Sequence, residues 1–286
     1  MDIGQPSRTA ENAAIMRALH QALPPEARVF NDPLAVRIII PDSDAYRSRV
    51  VLLERIPAAL RARFTHYPLR ARYAEDCLAD AVQQRGLNQF VILGGGLDTF
   101  PYRQPKWMGR VRIFEVDHPA TQAWKRQRLQ QIGIAEPANL QFVPVDFVET
   151  TLEAGLSREG FSNTVPTFFS MLGVSQYLRL ADLDGTFSFV RGMPPGSEIV
   201  FTIAVPDDML QSDEVEFMAA LTKHFAETGE PWHTRVRPET FAVRLNDMGF
   251  SAVTYMTPEE ANARYFGNRT DTLRASELEL VMRAIV

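Results

Sequence analysis

Apolar residues recur along this chain in two rhythms. Short unbroken runs at 90–93, 111–116, 140–145, 167–172, 198–205, 250–255 and 279–285 have the length and the β-branched or aromatic content of buried strands. Between them, at 119–132, 181–191, 213–228 and 238–248, apolar residues return every three or four positions, the spacing of amphipathic helices. Strand and helix alternate from residue 90 onward, which predicts an α/β fold with a doubly wound parallel sheet. The 23 residues between the last two runs leave room for one antiparallel member.

Ahead of the first strand the pattern is helical. Residues 7–23 form one candidate helix, closed by Pro24-Pro25. The turn or cap signal Asn31-Asp32-Pro33 leads into 34–40, and one or two helices span 46–62, interrupted near Pro57. In 69–84, Tyr73, Cys77, Leu78 and Val82 share a face, and Gly86 is the expected C-cap. Residues 1–6 are expected to fray. The chain thus divides into a helical cap, 1–86, and a nucleotide-binding type of domain, 87–286, packed as one unit. Such a cap can lie over a binding site as a lid.

Composition narrows the classes. With 286 residues, 45% hydrophobic and 23% charged, the chain is an ordinary globular one. The net charge of −5 and the lack of a basic block exclude a nucleic-acid partner. Lys125, Arg126 and Arg128 read as the solvated face of a helix. No run reaches the length of a membrane span, and residues 1–20 lack a signal-peptide core, so a cytoplasmic protein without membrane association is expected. The single cysteine, Cys77, excludes an intramolecular disulfide, and five scattered histidines give no metal-ligand spacing.

The chemistry concentrates in residues 89–117. Phe90 to Leu93 runs directly into Gly94-Gly95-Gly96, and a second strand ends in Asp117, 23 positions after Gly94. A strand, a glycine turn, a crossover and an acidic residue make a nucleotide-binding half, in which the carboxylate accepts from a ribose diol. A dinucleotide fingerprint needs a third small residue where this chain has Thr99. Asp98, beside the turn, would repel a pyrophosphate but suits a cationic ligand group. Both features favour S-adenosylmethionine (SAM), which carries a sulfonium, an ammonium and a ribose but no phosphate. An NAD(P)-dependent Rossmann oxidoreductase is the alternative from another class.

A set of motifs then matches in order: Ser7-Arg8-Thr9-Ala10, Phe30-Asn31-Asp32-Pro33-Leu34-Ala35, Arg70-Ala71-Arg72-Tyr73, Val91 to Thr99, Tyr102-Arg103, Phe114 to Pro119, Lys125, Val143 to Phe147 and Gly173 to Leu178. In these the chain resembles the leucine carboxyl methyltransferase family, and Gly229-Glu230-Pro231-Trp232 with Ala263-Arg264-Tyr265-Phe266 resemble its bacterial branch of SAM-dependent O-methyltransferases. The resemblance implies a class I methyltransferase fold, a Rossmann-like seven-stranded doubly wound sheet with an N-terminal helical lid. It implies that Arg70 pairs with the methionine carboxylate of SAM, that Gly94, Gly95 and Gly96 let the backbone approach the methionine, that Asp117 holds the ribose and that Asp146 and Phe147 frame the adenine. Asp98 is the further candidate for the cationic end.

One departure stands out. Where the family has a glutamate that helps hold the amino-acid end of SAM, this chain has Leu172. Backbone carbonyls near Gly94, or Asp98, would have to compensate, and a non-catalytic SAM-binding protein stays open as a reading. Methyl transfer needs an aligned acceptor and excluded water. A carboxylate acceptor arrives ionised and needs no base, whereas an alcohol or phenol needs one, with His118, His224 and His233 as candidates. No catalytic residue is singled out. Tyr177, Trp232, Tyr265 and Phe266 are expected to line the pocket of a small-molecule acceptor, a carboxylate of secondary-metabolite type.

Overall fold

In the computed structural model every expected apolar run is a strand, with ends shifted by a residue or two. The structure describes residues 7–39, 63–146, 150–267, 269, 271 and 273–286. The helices expected within 46–62, the frayed 1–6 and the adenine-side Phe147 lie outside the described residues. The strands are β1 (Gln89–Leu93), β2 (Arg112–Asp117), β3 (Leu140–Pro144), β4 (Thr167–Met171), β5 (Glu198–Ala204), β6 (Ala252–Tyr255) and β7 (Glu279–Ile285). They form one sheet in the order β3-β2-β1-β4-β5-β7-β6. β1 to β5 pair in parallel, and β7 runs antiparallel between β5 and β6. This is the single antiparallel member that the long last connection allowed for.

The helices are α1 (Arg8–His20), α2 (Pro33–Ile39), α3 (His66–Arg85), α4 (Phe100–Arg103), α5 (Pro119–Gln131), α6 (Leu152–Arg158), α7 (Leu180–Arg191), α8 (Ser212–Glu227), α9 (Pro238–Asp247) and α10 (Pro258–Ala261). They cover both faces of the sheet, so alternate strand residues enter different cores. Val91, Phe114, Phe169 and Phe201 point to the side of α6, α7 and α9. Phe90, Ile113, Phe168 and Val200 point to the side of α3. A third apolar cluster joins α1 and α2 to Leu97 and Leu129.

Local chemistry sets the ends of these elements. α3 starts three residues earlier than its apolar spacing suggests, because Pro68 falls in the first turn, where a missing N–H breaks no helical bond. It ends as expected at Gly86 (φ 73°), whose N–H donates to the Val82 carbonyl while Leu87 N–H donates to Ala81. α4 stops after four residues, since Gln104 precedes Pro105 and is driven to extended backbone. α6 was not foreseen. Only Leu152 and Leu156 mark its buried face, and Thr151 caps it by accepting from Ala154 N–H at 3.2 Å.

Candidate active site

The carboxyl ends of β1, β2 and β4 converge on the glycine turn. Gly94 (φ 70°) and Gly96 (φ 47°) hold left-handed backbone that glycine adopts without a Cβ penalty. Gly94 N–H and Gly95 N–H both donate to the Val116 carbonyl, at 2.9 and 3.2 Å, which ties the turn to the tip of β2. There is no room for side chains. A Cβ on Gly94 would collide with Val174, one on Gly95 would lie 2.5 Å from Glu115 Cγ, and one on Gly96 would lie 2.9 Å from the Ala10 methyl of α1. Asp117 closes the turn: its Oδ2 accepts from Gly96 N–H at 2.5 Å and its Oδ1 from His118 N–H at 2.6 Å. Burial raises the Asp117 carboxyl, and these two amides act against that rise. Each carboxylate oxygen keeps acceptor capacity for a second donor.

Gly95 rests on a buried ion pair. Lys125 Nζ donates to Glu115 Oε2 at 2.7 Å, and both side chains are 0% exposed. Lys125 therefore does not belong to the solvated basic face expected of α5. It points inward across α5 onto β2, while Arg126 remains outside, paired with Glu136. Burial pushes Glu115 up to about 7 against the pull of Lys125.

A second network hangs the turn from the N-terminal helices. Asp32, fully buried, accepts from Arg17 Nε (3.0 Å), Thr99 Oγ1 (2.6 Å) and Ala35 N–H (3.0 Å). Arg17 also donates to the Leu97 carbonyl at 2.7 Å. Arg103 donates to Thr99 Oγ1 and grips both oxygens of Glu75 on α3. Asp32, a turn signal and part of a matching motif in the sequence, is in the fold the hub joining α1, α2 and the loop after β1. Asp98 caps α4, accepting from Phe100 N–H at 2.9 Å.

On the far side, Arg70 of α3 lies over the Tyr67 ring at 4.8 Å. Its Nη1 donates to both oxygens of Glu279, at 2.7 and 3.0 Å. The neighbouring His66 is held by a 2.9 Å bond between Nδ1 and the Arg63 carbonyl, which fixes the proton on Nδ1. Burial lowers its pKa to about 4, so it is neutral at pH 7 with Nε2 as an acceptor.

These groups enclose a cavity of about 450 Å³. Arg70, Gly94, Gly95, Gly96, Asp98, Asp117, Asp146, Tyr177 and Trp232 all line it, together with His118 and His233. Residues of α1, including Thr9, Ala10 and Ala13, line it too, and Glu230 anchors that helix by accepting from Thr9 N–H at 2.9 Å. Tyr265 and Phe266 are not brought there. Phe266 is buried in the α3-side core, and Tyr265 donates to Asp76 on the outer side of α3 at 2.9 Å. The aromatic pair signalled a pocket in the sequence, but the turn of residues 262–266 packs it against α3 instead. His224 is also not among the lining residues. His66, Tyr67 and Glu279, which do line the cavity, were not anticipated. Tyr67 falls outside the 69–84 helix that the spacing predicts, whereas a charged residue opening the apolar run 279–285 offers a signal.

Across the chain, a family model for leucine carboxyl methyltransferase matches residues 10–191. The chain belongs to the leucine carboxyl methyltransferase family. It is a SAM-dependent methyltransferase, with SAM as its cofactor. The Bacillus subtilis (strain 168) protein YktD, provisionally named a SAM-dependent methyltransferase, is 39% identical over 217 residues, which cover 73% of this chain and 68% of YktD. A Mycolicibacterium paratuberculosis relative with the same provisional name is 35% identical over 155 residues, 54% of this chain but 49% of the relative. Among solved structures, a DUF574 family protein from Streptomyces avermitilis has a TM-score of 0.57 at 16% identity, covering 88% of this chain and 96% of its own. A Thermobifida fusca protein provisionally named a methyltransferase also reaches 0.57 at 16% identity, covering 99% and 96%. At that identity the likeness establishes the shared fold. Among the described residues no helix is long and apolar enough to cross a membrane, and no group of three or more His, Cys, Asp or Glu is placed to hold a metal ion.

Proposed function

We propose that the chain transfers the methyl group of SAM to an oxygen of a small molecule, and that the oxygen belongs to a carboxylate. The observation that carries the reading is one cavity holding both Arg70 and Asp117, whose side chains match the carboxylate and the ribose diol of SAM. Arg70 spends only Nη1 on Glu279, so the rest of its fork can take a carboxylate. Asp117 has acceptor capacity for two ribose hydroxyls, and Asp146 stands 3.7 Å from His118, where it can accept from an exocyclic amine. Gln176 Oε1 adds a buried acceptor without a partner among the described residues at the same wall.

When bound, SAM supplies an electrophilic methyl on a sulfonium. The chain's share of the work is alignment and exclusion of water. Tyr177 and Trp232 line the cavity and pack edge-to-face and stacked with the buried Phe225, with centroids 5.9–6.4 Å apart, which gives an acceptor an apolar seat. Burial raises the phenol pKa of Tyr67 to about 12 and also raises that of Tyr177, so both stay protonated as donors. A carboxylate fits donors of this kind and requires no base.

His66 favours a second reading, an alcohol or phenol acceptor. Its Nε2 lone pair at the cavity wall can accept from a hydroxyl, although a pKa near 4 makes it a weak base.

Calorimetric titration with SAM, S-adenosylhomocysteine and NADH, with Asp117→Ala and Arg70→Ala beside the wild type, tests the cofactor half. Saturable SAM binding, lost in both variants, is expected. NADH binding in its place would overturn the reading in favour of an oxidoreductase. Acceptor screening with aryl and alkyl carboxylates against matched phenols tests the other half. Tight SAM binding with no transfer to any acceptor would indicate a binding protein.

A further inference from the structure

Glu279 and Arg70 stand side by side as opposite charges at the wall of the cavity, and each has hydrogen-bonding capacity to spare. We infer that Glu279 binds the cofactor: with Arg70 it forms a clamp for an amino-acid zwitterion, taking the α-ammonium while Arg70 takes the α-carboxylate. The inference rests on the SAM reading above.

Three elements converge to make the pair. Arg70 comes from the first turns of α3, Glu279 opens β7, and Gly173 follows β4. The guanidinium occupies the space that a side chain at Gly173 would need: a Cβ there would lie 2.5 Å from both Nη1 and Nη2. The backbone at Gly173 (φ 71°) is left-handed as well, so glycine serves both the turn and the close approach. Arg70 is thereby pressed flat beside the end of β4, with its edge towards Glu279.

Hydrogen bonding is incomplete on both partners. Glu279 receives only Nη1, and Nε and Nη2 of Arg70 have no acceptor among the described residues. A buried ion pair with unused donors and acceptors contributes little to stability by itself, because desolvation offsets the attraction. A ligand that carries a carboxylate and an ammonium on one carbon supplies the missing partner of each. Its two charges are set a few ångströms apart, like those of the pair, and lie antiparallel to them.

Position 172 points the same way. Leu172 is a partly buried apolar residue packed against the α3-side core, so the end of β4 offers no side-chain acceptor. Of the other carboxylates around the turn, Glu75 holds Arg103 and Glu230 holds Thr9, while Asp98 gives one oxygen to Phe100 N–H and stands apart from the Arg70 fork. β7 supplies the negative charge instead, two strands across the sheet from β4.

Three ligands separate the claims: S-adenosylhomocysteine, its decarboxylated analogue (ammonium kept, carboxylate lost) and 5′-methylthioadenosine, which lacks the amino-acid part. Affinities are measured for the wild type, Glu279→Gln and Glu279→Asp. A charged hydrogen bond lost at a buried site corresponds to about 10- to 100-fold in affinity. Glu279→Gln should lose that much for both amine-bearing ligands and stay within about twofold for 5′-methylthioadenosine. Glu279→Asp, which keeps the charge one methylene back, should show smaller losses on the same two ligands. Unchanged affinity of Glu279→Gln for the decarboxylated analogue would overturn the ammonium contact and leave Glu279 only orienting Arg70. Equal losses on all three ligands in both variants would overturn the clamp as well. If the wild type binds none of the three, the SAM reading itself falls.

Discussion

Thr99 Oγ1 donates to Asp32 Oδ1 at 2.6 Å, and through this bond the loop after the glycine turn is anchored to the N-terminal helices. Burial alone would raise the Asp32 carboxyl. Arg17, Arg103 and the Thr99 hydroxyl more than reverse that, and the net shift is downward. Asp32→Ala should therefore destabilise the protein by about 3–5 kcal/mol in urea unfolding, the range for leaving buried charges uncompensated. A carboxyl lowered in the folded state contributes stability above its unfolded value near 3.9 and loses it as pH falls through the folded value. The gap between wild type and Asp32→Asn should accordingly be widest above about pH 4 and close below it.

His20 supplies a pH dependence of its own. Its Nε2 accepts from Val29 N–H at 2.9 Å, and burial, with Arg269 and Arg28 nearby, lowers its pKa to about 4. The unfolded chain takes up this proton near pH 6.5 and the folded protein only near 4. Stability should fall as pH drops across that window, by up to roughly 3 kcal/mol from this group. His66 shifts in the same direction, so the decisive measurement compares wild type with His20→Gln, which should show a shallower fall between pH 6.5 and 4.

Lys125→Met would strand the Glu115 carboxylate beneath Gly95. We expect a loss of about 3–5 kcal/mol for the single variant and recovery of most of it in the double variant with Glu115→Leu. Denaturant midpoints of the four proteins form the cycle. Additive losses would show that the pair is not coupled.

Gly95→Ala introduces a methyl 2.5 Å from Glu115 Cγ, and Glu115 is fixed by Lys125. The turn must shift, at about 1–3 kcal/mol of stability. The same shift displaces Gly96 N–H from Asp117, so affinity for S-adenosylhomocysteine should fall about tenfold or more even where the variant is fully folded.

Tyr265→Phe tests the reassignment of the bacterial-branch aromatics. The hydroxyl bonds Asp76 away from the cavity. Its loss should cost about 1 kcal/mol of stability and leave cofactor affinity and methyl transfer unchanged. A selective rise in acceptor KM would return Tyr265 to the substrate pocket.

What was legible in the sequence follows physical range. Unbroken apolar runs exposed all seven strands, because a sheet covered on both faces needs both sides dry, and the 3.6-residue period exposed the long helices, each with one dry face. Gly94 to Gly96 and Asp117 were legible because a turn with left-handed backbone and a carboxylate at the next strand tip stand close together in the chain. Arg70 with Glu279 was not, since the partners are separated by 209 positions and meet only through the sheet order. Lys125 misled for a related reason. On a helix with Arg126 and Arg128 nearby it looks solvated, and only its contact with Glu115 shows that one basic residue turns inward. Tyr265 and Phe266 carried aromatic character but no direction.

The strand order also bears on how the chain assembles as it is made. β6 is joined to the sheet solely through β7, although it is synthesised first. On a ribosome, residues 252–255 emerge before their native partner, which they gain once residues 279–285 have threaded in beside β5. Glu279 arrives with that same segment. The glycine turn is thus synthesised well before the wall that faces Arg70.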